Sequence, residues 1–63
     1  MRRTPYHIAT EVDRCLSLSL SNHEFDVVAE FIADSEDFEQ TGKNLINCGE
    51  RAVWYVIETH TRK

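Results

Sequence analysis

Leu45-Ile46-Asn47-Cys48-Gly49-Glu50-Arg51-Ala52-Val53-Trp54-Tyr55-Val56-Ile57-Glu58-Thr59-His60 is the stretch on which the fold class turns. Ala52 to Ile57 is rich in strand formers and would serve as a buried strand. The spacing argues against it. Leu45, Cys48/Gly49, Ala52, Val53, Val56 and Ile57 fall at i, i+3/i+4, i+7, i+8, i+11 and i+12, a wide helical stripe. The stripe runs for several turns, whereas no second strand is available to pair with the Ala52–Ile57 run. The segment therefore reads as a helix over residues 44–60. Gly49 would cost about 1 kcal/mol relative to Ala inside it, which makes this glycine an expected point of close helix approach.

Working back toward the N-terminus, Ser21-Asn22-His23-Glu24 matches a capping box, in which the Ser hydroxyl and the Glu carboxylate each satisfy an end amide. Phe25, Val28, Ala29 and Ile32 form one apolar stripe after it, and Val27, Phe31 and Phe38 a second about 100° round. The reading is a helix over 22–39, with Asp34-Ser35-Glu36-Asp37 a point where it could break or restart, because Asp and Ser compete for backbone groups. Thr41-Gly42 is the expected stop. Two stripes on one helix call for two neighbours, one from the chain and one from a second subunit.

A first helix is expected over 4–19. Thr4 is a favoured N-cap, Pro5 suits the first helical position, and Ile8, Val12 and Cys15/Leu16 recur at helical spacing. Arg2 and Arg3 are expected to fray. Leu16-Ser17-Leu18-Ser19-Leu20-Ser21 alternates as a strand would, but Leu and Ser are weak strand formers and no hairpin signal follows. Helix is favoured to about Ser19. The fold class is all-α, with three helices around one core.

With 63 residues, such a core offers little net stability, because ordering the chain costs about as much as burial returns. A homodimer that completes the core is the expected solution. The composition is 41% hydrophobic and 29% charged with a formal net charge of −4, which suits a globular chain. No apolar run approaches the roughly 18 residues of a membrane span. Arg2 and Arg3 precede Thr4-Pro5-Tyr6-His7 rather than an apolar stretch, so no secretory signal is expected. Cys15 and Cys48 both fall on apolar stripes and read as reduced thiols and small core residues.

The chemistry-bearing residues assemble into no recognised constellation. His7, His23 and His60 are scattered and neither cysteine has a metal-ligand spacing, so no metal or cofactor is expected. Two glycines cannot build a phosphate loop, and no Ser, Cys or Thr sits in a nucleophile motif, so no catalytic residue is assigned.

Charge is the informative feature. Glu24, Asp26, Glu30, Asp34, Glu36, Asp37 and Glu39 lie between Cys15 and Gly42 with no basic residue among them. Such a run is either a solvated helix face or a negative patch that steers a basic partner. Trp54 and Tyr55 project toward the edges of the last helix. Trp54 either completes the core or stands exposed as an aromatic anchor, a residue type enriched at interface hot spots. The candidate partner-binding residues are Glu30, Asp34, Asp37, Phe31, Phe38 and Trp54.

The opening Met1-Arg2-Arg3-Thr4-Pro5-Tyr6-His7, with the length, acidity and helical pattern of the whole chain, resembles the short early accessory proteins of the lambdoid phage exo–xis region. The resemblance implies an early host-takeover factor in the cytoplasm of an infected bacterium, favouring lytic development. It supplies no site residues. The expected function is interaction with a host or phage regulatory protein, without chemistry of its own. A helix-turn-helix regulator is the alternative, but it needs a basic recognition helix where only Lys43 and Arg51 are available. An acidic DNA mimic is a further one.

Overall fold

Four helices, separated by turns that each follow from local side-chain chemistry, make up residues 4–61, the part of the chain that the computed structural model describes. The expected fraying of Arg2 and Arg3 lies outside the described residues. No strand occurs among those described, so the all-α class holds, and both the Leu16–Leu20 and Ala52–Ile57 strand readings fall away. The helices number four rather than three.

Helix α1 (Pro5–Leu16) begins as its sequence dictates, with the Thr4 hydroxyl accepting the His7 amide at 3.2 Å. It stops at Leu16, short of the expected Ser19. Ser17 takes the left-handed conformation (φ 53°, ψ 49°), and the Leu18 amide donates back to the Asp13 carbonyl at 3.1 Å. This is the Schellman arrangement, with Ser where Gly is usual. Leu18 then turns inward and is buried with Val12. The Asp13 carboxylate accepts the Leu20 amide at 3.4 Å and holds the exit of the loop.

Helix α2 (Asn22–Ala33) carries the complete capping box. The Ser21 amide donates to the Glu24 carboxylate at 3.0 Å, and the Glu24 amide donates to the Ser21 hydroxyl at 3.3 Å. The helix ends at Ala33 instead of continuing to 39. The amide and hydroxyl of Ser35 both donate to the Ile32 carbonyl, at 3.0 and 2.6 Å, and close off the last turn. Asp37 then restarts the chain as the N-cap of α3 (Phe38–Cys48), accepting the Gln40 amide at 3.1 Å.

The two glycines exchange the roles their sequence context suggests. Gly42 does not stop a helix; it is buried inside α3, against Ile8 and Val12 of α1. Gly49 is no packing point, for nothing stands within 4 Å of where its β-carbon would be. It is the break between α3 and α4 (Glu50–Thr61), at φ 95° and ψ −179°, a conformation essentially reserved to glycine. The single helix expected over 44–60 is thereby divided.

Helix α1 packs on α2 and α3, and α4 packs on the same two. Ile8, Ala9 and Val12 of α1 meet Val28, Ala29 and Ile32 of α2, and Leu45, Val53 and Ile57 complete the core. No polar side chain is buried there among the described residues. Cys15 and Cys48, expected inside, are both exposed.

Candidate functional site

Turning the chain back at Gly49 brings the end of α4 against the end of α2. His60 meets Phe31 edge to face, with ring centroids 5.7 Å apart. Around this contact lies an open groove of about 440 Å³, lined by Phe31, Asp34 and Ser35 after α2, by Thr41, Asn44, Leu45 and Cys48 along α3, and by His60 of α4. Its floor is apolar, formed by Phe31 and the buried Leu45.

The electrostatics follow from the helix ends. Phe31, Cys48 and His60 belong to the last turns of α2, α3 and α4, where unpaired carbonyls give each helix its negative pole. Those of α2 and α3 contain no basic residue, and that of α4 has only His60. Asp34 adds a full negative charge, and Glu30 stands one turn before it on the same face of α2. Among the described residues no Lys or Arg lines the groove. Acidic side chains at the C-terminal end of a helix are unfavourable for the helix itself, and a cation placed there would relieve both them and the dipoles.

Of the six residues singled out by sequence, Phe31 and Asp34 come together in this groove; Glu30, exposed one turn before Asp34, is not part of its lining. Asp37 is exposed, but its carboxylate is engaged as the α3 N-cap. Phe38, half-buried at the start of α3, packs on the core. Trp54 lies elsewhere, on α4, where it is 36% exposed beside Tyr55 at 71%. The sequence reading did not identify Ser35, Thr41, Asn44, Leu45, Cys48 or His60 as site residues. Thr41, Asn44, Leu45 and Cys48 share one face of α3 at spacings of three and four, a signal visible only once Gly42 is known to be helical.

Among the described residues no group of three or more His, Cys, Asp or Glu could hold a metal ion. No hydrogen bond joins Cys48 to His60 or Asp34, so the groove offers a shaped, negatively polarised surface rather than an assembled proton relay. A second, shallower depression of about 710 Å³ lies along the outside of α4 and is lined by that helix alone, Trp54 and Tyr55 included. No helix among the described residues is long and apolar enough to cross a membrane.

The chain matches no family model, no curated protein and no solved structure.

Proposed function

We propose that this chain is a small helical interaction protein that takes a basic partner at the α2–α3–α4 groove and works as a homodimer. The observation that carries the reading is the convergence of three helix C-terminal turns and Asp34 on one apolar groove that, among the described residues, no Lys or Arg lines. A partner of matching chemistry inserts an apolar side chain over Phe31 and Leu45 and sets Lys or Arg against Asp34 and Glu30. Homodimerisation is supported by the short chain's limited core and by the apolar surface left on the outside of α4.

The resemblance to early accessory proteins of the lambdoid phage exo–xis region extends the proposal to its setting. There the partner is a regulatory protein of the host or the phage, in the bacterial cytoplasm, and its capture favours lytic development. Affinity capture from bacterial lysate tests the partner reading. The native chain should retain a basic protein at low salt, and the E30Q/D34N variant should lose about tenfold or more of it. Equal capture by both would show that the two carboxylates do not carry the binding.

A further inference from the structure

Along α4, Arg51, Trp54, Tyr55 and Glu58 are spaced i, i+3, i+4 and i+7, the spacing of one helix face. All four are exposed, while Val53 and Ile57 of the same helix are buried. The helix thus carries two seams, one facing the core and one facing outward. Neither Trp54 nor Tyr55 belongs to the buried core or to the side chains packed against it, and among the described residues the depression they line has no wall from another element. Among the described residues Arg51 and Glu58 have no ion-pair partner.

The order of the charges identifies what fits. The face has a cation at its N-terminal end, two aromatic rings in the middle and a carboxylate at its C-terminal end. A two-fold contact brings the same patch together with itself, reversed. Laying a second α4 antiparallel across the first sets Arg51 against Glu58 of the second copy and Glu58 against its Arg51. The axis then passes between Trp54 and Tyr55, since Arg51 and Glu58 are equidistant from that midpoint. Four aromatic rings meet at the centre and two ion pairs close the ends.

We propose that the outer face of α4 is a self-complementary dimer interface, in which two copies pack antiparallel through Trp54 and Tyr55 and are held in register by reciprocal Arg51–Glu58 pairs. The proposal rests on the homodimer reading above and names its surface. Each copy contributes one short helix, so the contact is at the small end of specific interfaces and the dimer is a weak one. The groove shares no lining residue with this face and stays open in each copy, which gives the dimer two equivalent binding sites.

Charge reversal in complementary pairs tests the register. Sedimentation equilibrium from micromolar to millimolar concentration should show the native chain in monomer–dimer exchange. R51E confronts acid with acid at both ends of the interface, and E58R confronts base with base, so each variant alone should dimerise about tenfold or more weakly. Mixed one to one, the two should form a heterodimer with roughly native affinity, because both end pairs are then opposite in charge. The double variant R51E/E58R should dimerise like the native chain. All four positions are exposed, and circular dichroism will report that the monomers keep their helices. If the native chain dimerises but neither single reversal weakens it, the α4 interface is wrong while the homodimer reading survives. Weakening by both reversals without recovery in the mixture overturns the antiparallel register. A native chain that stays monomeric over the whole range overturns the proposal and the homodimer reading together.

Discussion

Gly42 of α3 faces Ile8 of α1 so closely that a β-carbon on the glycine would overlap the Ile8 γ2 methyl. Ile8 is 2% exposed and branched at its own β-carbon, so it has little freedom to move aside. The α1–α3 contact exists because one of its partners has no side chain. Replacing Gly42 with Ala should therefore destabilise the fold, overpacking costing about 1–3 kcal/mol and outweighing the gain of about 1 kcal/mol in helix propensity. Urea unfolding of G42A, I8A and the double variant decides the cause. In the I8A background the cost of G42A should vanish or reverse, a coupling expected only of residues in contact.

Gly49 predicts the opposite pattern. Its obstacle is the backbone angle, φ 95° with ψ −179°, and not a neighbour. G49A should cost about 1–3 kcal/mol in either background, with no coupling to Ile8. A G49A variant as stable as the native chain would show that the α3–α4 break is no constraint.

Asp34 and Asp37, three residues apart at facing helix ends, should respond in opposite directions. D37A removes the carboxylate that accepts the Gln40 amide and should lower stability by about 1 kcal/mol. D34A removes a negative charge from the C-terminal cap of α2 and should leave stability unchanged or raise it by about 0.3–1 kcal/mol. Equal losses from both would refute the assignment of Asp37 as a cap and Asp34 as a residue free to bind.

Ser17 holds the left-handed position that ends α1, where a β-carbon is a disadvantage. S17G should accordingly stabilise the protein, by about 0.5–1 kcal/mol, readable as a higher urea midpoint with an unchanged slope. A lower midpoint would mean that the serine hydroxyl contributes more than its backbone strain costs.

These residues also show what could be read before the structure was known. The Thr4 and Ser21 caps were legible because each lies within three residues of the groups it satisfies. The helical stripes were legible because periodicity is local too. The end of α1 was hidden because Ser17 gives no glycine signal. The glycines were misread because their roles depend on distant facts: Gly42 on Ile8 across the interface, and Gly49 on whether α4 folds back. The groove was half legible. Phe31 and Asp34 stood out by composition, but His60 joins them only through the turn at Gly49.

The groove itself can be interrogated directly with a photo-crosslinking amino acid introduced at Asn44, an exposed residue of its lining, in bacterial cells that produce the chain. Irradiation should yield a discrete adduct with a basic protein, strongly reduced when E30Q/D34N is combined with the same crosslinker. The same crosslinker at His23, exposed at the start of α2 and outside the groove lining, should not give that adduct. No adduct at position 44, or one that is equally strong from position 23 and indifferent to the loss of both carboxylates, would contradict the groove as the seat of partner binding.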